Sequence, residues 1–138
     1  MANRYEKAEL LAALWRLGVD GDERIPTSHG VLDRALKASL ADLPEALKSD
    51  LTFRVTGVGL RCFELPSILL AAQEAEFTTE PNPTYLSSVV NLDEDRARQI
   101  VVGHGLSTKE AQRIGALLRH NAATARKSSE DISDVSAA

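Results

Sequence analysis

Side chains that could perform acid, base or nucleophilic chemistry are few in this chain, which has one cysteine and three histidines among 138 residues. Cys62 and His104 could form a nucleophile–base pair. His29 lies in the first turn of a predicted helix with Asp33 four residues further on, which is a second possible pair. However, Cys62 falls on the apolar face of a predicted hairpin, and no nucleophile or third group accompanies His29 and Asp33. We therefore expect a protein without enzymatic activity.

The sequence also lacks the common motifs for binding metals and cofactors. It contains no GxxxxGK[ST] loop for phosphate, no GxGxxG and no HExxH. A single cysteine does not suffice for a structural zinc site of the usual kind. The segment Asp20-Gly21-Asp22-Glu23 lacks the twelve-residue ligand spacing of a calcium loop. We therefore expect no metal and no cofactor.

Positively charged residues are stronger candidates for a functional site, because they concentrate in one part of a chain that is acidic overall. The protein has 16 Lys or Arg against 20 Asp or Glu, whereas residues 96–127 contain seven Lys or Arg and one acid. On a helical wheel, four residues oppose the apolar arc of this stretch: Lys109, Arg113, His120 and Lys127. We predict that this face binds nucleic acid; a solvated helix face or a surface for a partner protein would have the same composition.

A β-hairpin is predicted over residues 51–65, where apolar and polar residues alternate around a glycine-containing turn. The dipeptide Gly57-Val58 suits a two-residue turn of type II′. The resulting register pairs three sets of residues across the strands: Val55 with Leu60, Arg54 with Arg61, and Phe53 with Cys62. Like charges directly opposed are destabilising, so Arg54 and Arg61 either splay into water or bind an anion such as phosphate. They complete the predicted set of nucleic-acid-binding residues.

The helices predicted around this hairpin give a mainly α protein with one β-hairpin, of the α+β class. The order helix, helix, short helix, hairpin over residues 3–65 is that of a winged helix, with the hairpin as the wing. A helical hairpin follows, in which Ser107 and Glu110 form a capping box that begins one long helix to about Lys127. The predicted divisions are a winged-helix-like core (1–76), a linker (77–91), an antiparallel helix pair (92–127) and a disordered tail (128–138).

One segment of the helix pair has a recognisable pattern: Leu92-x-x-x-x-Ala97-x-x-Ile100, then Gly105-Leu106-Ser107-Thr108-Lys109-Glu110-x-x-Arg113-Ile114-Gly115. It resembles the helix-turn-helix of LuxR-type response regulators and the related DNA-binding region of sigma factors. The resemblance covers residues 92–115 only. It implies a helix before the turn and a scaffold helix, with a following helix that enters the major groove of DNA. In this chain, residues 116–118 continue the scaffold helix instead.

These observations predict a small cytosolic regulator that binds duplex DNA as a homodimer, with residues 66–127 supplying much of the dimer interface. The single cysteine suits the reducing cytoplasm. No apolar run approaches the roughly 18 residues of a membrane span, and the N-terminus is not of the signal-peptide type. The alternative is a protein–protein adaptor without nucleic-acid binding, which the acidic net charge favours.

Overall fold

The computed structural model describes residues 3–18, 24–27, 30–79 and 87–137, the last ten of them as backbone only. Within these ranges the protein is mainly helical with short antiparallel strands, so the predicted α+β class is confirmed. The helices are α1 (Arg4–Leu17), α2 (Val31–Ser39), α3 (Glu45–Lys48), α4 (Leu65–Glu74), α5 (Glu94–Gly103) and α6 (Thr108–Ala137). The strands are β1 (Ile25–Pro26), β2 (Phe53–Thr56), β3 (Gly59–Cys62), β4 (Thr78–Thr79) and β5 (Ser87–Val90).

Helix α1 lies at the centre of the fold, because nine of its 14 residues are buried. A helix that is apolar on most of its circumference must be covered on several sides, and α4, α5 and α6 all pack against it. Asn3 caps its N-terminus, where the side-chain oxygen accepts a hydrogen bond from the backbone N–H of Glu6 at 2.9 Å. This cap satisfies one of the N–H groups that the first turn leaves without a helical partner.

Lys7 is a buried cation that joins α1 to the end of α3. Its side chain is 6% exposed, and its Nζ donates to the carbonyl oxygens of Ala46 at 3.2 Å, Leu47 at 3.1 Å and Ser49 at 2.5 Å. These are carbonyls at the C-terminal end of α3, where a positive charge is favourable. Burial lowers the pKa of Lys7 below its ordinary value. Nearby negative charges, of which Asp50 contributes most, act in the opposite direction and reduce this shift.

Helix α6 begins as predicted, and the side chain of Ser107 accepts a hydrogen bond from the N–H of Glu110 at 3.1 Å. Its apolar arc is buried, also as predicted: Ala111, Ile114, Leu118, Ala122 and Ala125. The end of the helix differs from the prediction, because the backbone of residues 128–137, expected to be a disordered tail, continues α6 to Ala137. Once a helix has formed, each further residue adds a hydrogen bond, and neither glycine nor proline interrupts residues 116–137.

The crossing of α1 and α6 brings the two backbones into direct contact at a pair of glycines. A Cβ atom on Gly115 would lie 2.0 Å from the carbonyl oxygen of Leu14, and one on Gly18 would lie 2.6 Å from the carbonyl carbon of Gly115. Four residues after Gly115, Arg119 donates from Nε to the carbonyl oxygen of Trp15 at 2.8 Å. This contact supplies a donor to the C-terminal end of α1.

The hairpin has the predicted register, with Phe53 opposite Cys62, Arg54 opposite Arg61 and Val55 opposite Leu60. The predicted type II′ turn is wrong, because that turn needs a positive φ at Gly57. The positive φ lies instead at Gly59, at 103°. The hydroxyl of Thr56 stabilises this alternative by donating to the carbonyl of Gly59 and accepting from the N–H of Val58.

A second, three-stranded sheet in the order β1-β5-β4 was not predicted. It places β4 and β5 within the stretch 77–91 that was predicted to be a linker; residues 80–86 of that stretch lie outside the described ranges. Apolar residues from before and after this stretch share one core cluster. Helices α5 and α6 were predicted to pair with each other, but they touch each other only slightly. Helix α5 lies mainly against α1, whereas α6 packs mainly on α2 and also on α1. Among the described residues, no helix has the length and apolar character needed to span a bilayer.

Candidate nucleic-acid interface

The basic residues predicted on α6 form one exposed stripe along the helix. Lys109, Arg113, His120 and Lys127 are all exposed. At 100° and 1.5 Å per residue, they fall within an arc of about 40° and extend over about 27 Å. The structure therefore brings these four predicted residues onto one face.

Arg113 is already occupied by two carboxylates, which reduces the positive charge of this stripe. Its Nη2 lies 2.6 Å from Oε1 of Glu110, and its Nη1 lies 3.3 Å from Oδ1 of Asp42. The hydrogen bonds to Glu110 and Asp42 raise the pKa of the Arg113 guanidinium, and its hydrogen bond lowers the pKa of Glu110. The positive charge that the stripe offers to a ligand comes mainly from Lys109, Lys127 and, when protonated, His120.

The hairpin holds its two arginines differently. Arg54 is exposed, and its Cζ lies 5.4 Å from the centre of the Phe63 ring, which is itself half exposed. Arg61 is half-buried, with Nη1 donating to the carbonyl of Leu60 at 3.0 Å. Its guanidinium lies against Gly30 at the start of α2, where a Cβ atom would stand 1.9 Å from Nη1. Packing thus fixes Arg61, whereas Arg54 extends over the surface.

Two carboxylates beside this hairpin bind backbone N–H groups rather than its arginines. Oδ2 of the buried Asp33 accepts from the N–H of Cys62 at 2.8 Å. Oε1 of Glu64 accepts from the N–H of Thr52 at 2.5 Å. Desolvation opposes ionisation of Glu64, but hydrogen bonds from the Thr52 and Glu64 backbone and from the Thr52 and Cys62 side chains together outweigh it and lower the pKa of this carboxyl. Within the described ranges, neither Arg54 nor Arg61 forms an ion pair with a carboxylate.

Lys37 on α2 is a further cation beside the hairpin that the sequence reasoning missed. It is exposed, and its Nζ lies 5.3 Å from the centre of the Phe53 ring. A cation in this position is attracted by the ring face. The available signal was its spacing: Lys37 follows Asp33 by four residues, so both lie on the side of α2 nearest the hairpin.

The pair of Cys62 and His104 is not assembled as a nucleophile and a base. Cys62 is 2% exposed, and burial raises the pKa of its thiol to about 11. His104 lies instead beside α1, with Nε2 3.8 Å from Oε1 of Glu9. Asp33 is committed to the hairpin backbone, and His29 lies outside the described residues. The parts of the chain that the structure describes contain no group of three or more His, Cys, Asp or Glu residues arranged to hold a metal ion.

The stretch that resembles a helix-turn-helix, residues 92–115, forms α5, a turn and the first part of α6. Its final residue, Gly115, is the point at which α6 touches the backbone of α1. As expected from residues 116–118, α6 continues without a break where a separate recognition helix would begin, so the resemblance itself stays a prediction. No protein-family model, curated protein or solved structure matches this chain.

Proposed function

We propose that this protein is a small, non-enzymatic regulator that acts in the cytoplasm and binds duplex DNA through its β-hairpin and the adjoining side of α2. One observation carries the proposal: Arg54 and Arg61 stand directly opposite each other on the hairpin, while the nearby carboxylates bind backbone N–H groups. Two opposed cations repel each other across a strand pair. A phosphate oxygen between them would turn this repulsion into two charge-assisted hydrogen bonds.

The surroundings of the two arginines also suit a polyanion with apolar edges. The ring of Phe63 lies beside Arg54 and is half exposed, and Val58 is exposed at the tip of the hairpin, so both can contact sugars or the groove wall. Lys37 adds positive charge near the hairpin, against the ring of Phe53. Phosphate contacts of this kind position a protein on DNA without reading its sequence. We therefore propose that this surface binds DNA with strong salt dependence and with little preference for base sequence.

The order of α1, α2, α3, β2 and β3 supports a winged-helix-like arrangement in which β2 and β3 form the wing. The principal contact is assigned to this wing because α3 has only four residues and begins with Glu45. A helix of one turn presents too few side chains to read a groove, and an acid at its start repels phosphate. The stripe of Lys109, His120 and Lys127 on α6 would make a second, weaker contact.

A salt titration of binding to a short random duplex tests the proposal. Each phosphate contact contributes a slope of about −0.9 in log K against log salt. Replacing Arg54 and Arg61 together by alanine should weaken binding and flatten the slope by up to about two units. The matched control is the double variant Arg96→Ala, Arg98→Ala on α5, which removes the same charge and should leave the slope within about half a unit of the wild type. Absence of wild-type binding at about 50 mM salt would contradict DNA binding at either basic surface.

We also propose that the protein is a homodimer, with residues 66–127 supplying much of the interface. The support is apolar surface in that range: Leu70 on α4 is 50% exposed and Val102 on α5 is 59% exposed. Light scattering should give twice the 14.9 kDa chain mass at concentrations on the order of tens of micromolar. The variant Leu70→Asp, Val102→Asp should give a monomer. A monomeric wild type at those concentrations would overturn this assignment.

The second candidate function is a protein–protein adaptor. It is favoured by the exposed apolar residues of the hairpin end, where Val55 is 83% exposed and Val58 is 74% exposed. The salt titration separates the two functions, because an adaptor gives no salt-dependent binding to duplex DNA.

A further inference from the structure

Strand β2 has an open edge on the side away from β3. It pairs with β3 alone among the strands that the structure describes. The N–H of Phe63 donates to the carbonyl of Thr52 at 3.0 Å. In an antiparallel pair, positions bonded in this way alternate with positions whose backbone groups point away from the partner strand. Phe53 and Val55 are the alternate positions of β2, so their N–H and C=O groups point to the open edge.

The opposite edge of the hairpin shows how the fold satisfies backbone groups of this kind. On β3 the N–H of Cys62 points away from β2, and Oδ2 of the buried Asp33 accepts from it at 2.8 Å. The edge groups of Phe53 and Val55 have no such partner within the described ranges. Val55 is also 83% exposed. An exposed strand with unpaired backbone groups can accept a further strand.

Positive charge lies on both faces of this open strand. On one face Arg54 is exposed, and its Cζ lies 5.4 Å from the centre of the Phe63 ring. On the other face Nζ of Lys37, from α2, lies 5.3 Å from the centre of the Phe53 ring. Neither cation forms an ion pair with a carboxylate in the described parts of the chain. A strand beside β2 would direct its side chains alternately to these two faces, so acidic residues on either of its faces would be attracted.

We propose that the open edge of β2 binds an extended acidic segment of another protein, which adds a third strand to the hairpin. The backbone groups of Phe53 and Val55 supply hydrogen bonds that any extended segment can use, and the neighbouring side chains select its sequence. Apolar side chains of the segment cover Val55, and its carboxylates pair with Arg54. The inference goes beyond DNA binding, because phosphate contacts would leave these backbone groups unpaired. It gives the adaptor function a partner of defined chemistry.

The test uses a capped, fluorescently labelled peptide in which valine and glutamate alternate, titrated with the full chain in the absence of DNA. Fluorescence anisotropy should rise to saturation with a Kd below about 1 mM. Val55→Pro should raise this Kd by about tenfold or more, because proline has no N–H and its ring blocks a neighbouring strand. The change breaks no bond to β3, since the N–H of Val55 points away from β3. Val55→Thr keeps the N–H and is the matched control, for which the wild-type Kd is expected.

A second peptide, in which lysine replaces glutamate, tests the charge of the partner. It should bind at least about tenfold more weakly than the valine–glutamate peptide, because Arg54 and Lys37 repel it. Equal binding of the two peptides would overturn the assignment of an acidic partner.

Amide hydrogen exchange measured by NMR locates the bound peptide on the wild-type chain, so it answers the question even if Val55→Pro does not fold. In the free chain the N–H groups of Phe53 and Val55 should exchange faster than that of Arg54, which faces β3. Saturating valine–glutamate peptide should slow the exchange of both by about tenfold or more.

Three results would overturn the proposal: no saturable binding of the valine–glutamate peptide, a wild-type Kd for Val55→Pro, or unchanged exchange at Phe53 and Val55. Slow exchange at these two amides in the free chain that becomes fast on dilution would also overturn it, because a second copy of the chain would then occupy the edge. These measurements contain no DNA, so their failure would leave the proposed DNA binding to be decided by its own salt titration.

Discussion

Replacing Gly115 by alanine should destabilise the protein by roughly 3 kcal/mol, because the added Cβ meets backbone rather than a movable side chain. That atom would lie 2.0 Å from the carbonyl oxygen of Leu14. The two helices must then separate along their whole contact, which loosens the core packing on both sides. Alanine is itself favoured over glycine in a helix by about 1 kcal/mol, so any measured loss understates the clash. Thermal unfolding should show a melting temperature lower by on the order of 10 °C.

The matched control is Gly103→Ala, at the end of α5. A Cβ atom there would have no neighbour within 4 Å, and Gly103 does not have a positive φ. The free energy of unfolding of the Gly103→Ala variant should therefore equal that of the wild type or exceed it by up to about 1 kcal/mol. If Gly115→Ala and Gly103→Ala had the same melting temperature, the close crossing of α1 and α6 would be wrong.

Replacing Lys7 by methionine should also cost roughly 3 kcal/mol, although the two side chains are similar in length. Methionine fills the space but donates no hydrogen bond. The carbonyls of Ala46, Leu47 and Ser49 would each lose their bond to the ammonium group. Buried acceptors without donors carry the full cost of desolvation. A urea titration in which unfolding is monitored by circular dichroism gives the free energy of unfolding directly.

Lys109→Met on α6 provides the comparison for Lys7. It is the same chemical change at an exposed helical position, so the free energy of unfolding should change by less than about 0.5 kcal/mol. Equal stability of Lys7→Met and Lys109→Met would show that the contacts of Lys7 with α3 contribute nothing measurable.

The features that the sequence predicted correctly depend on neighbouring residues. The hairpin register follows from side-chain alternation on either side of a two-residue turn, and the Ser107 cap follows from a four-residue pattern. The turn type was missed, because Gly57 and Gly59 can each supply the positive φ, and the hydroxyl of Thr56 decides between them. The second sheet was missed because β1 and β4 have two residues each, too few for alternation to be recognised.

The sequence predicted where some candidate residues lie relative to each other, but it did not predict which of them already form ion pairs. That Arg54 opposes Arg61 could be derived from register alone. That Arg113 is bound by Asp42 could not, because the two are 71 residues apart in sequence and meet only when α6 packs beside α2. Charge counted along a sequence does not reveal which cations already have a partner in the fold.

The crossing of α1 and α6 also has a consequence for how the chain is made. Trp15 and Arg119 are 104 residues apart, which at ribosomal rates corresponds to about 5 to 20 s of synthesis. During that interval α1, nine of whose 14 residues are buried in the complete fold, has left the ribosome without one of its main covering partners. Contacts between residues this far apart in sequence form slowly, because the chain must lose conformational entropy to close the loop before the packing energy is gained. An incomplete chain that stops before α6 is consequently the form of this protein most exposed to aggregation.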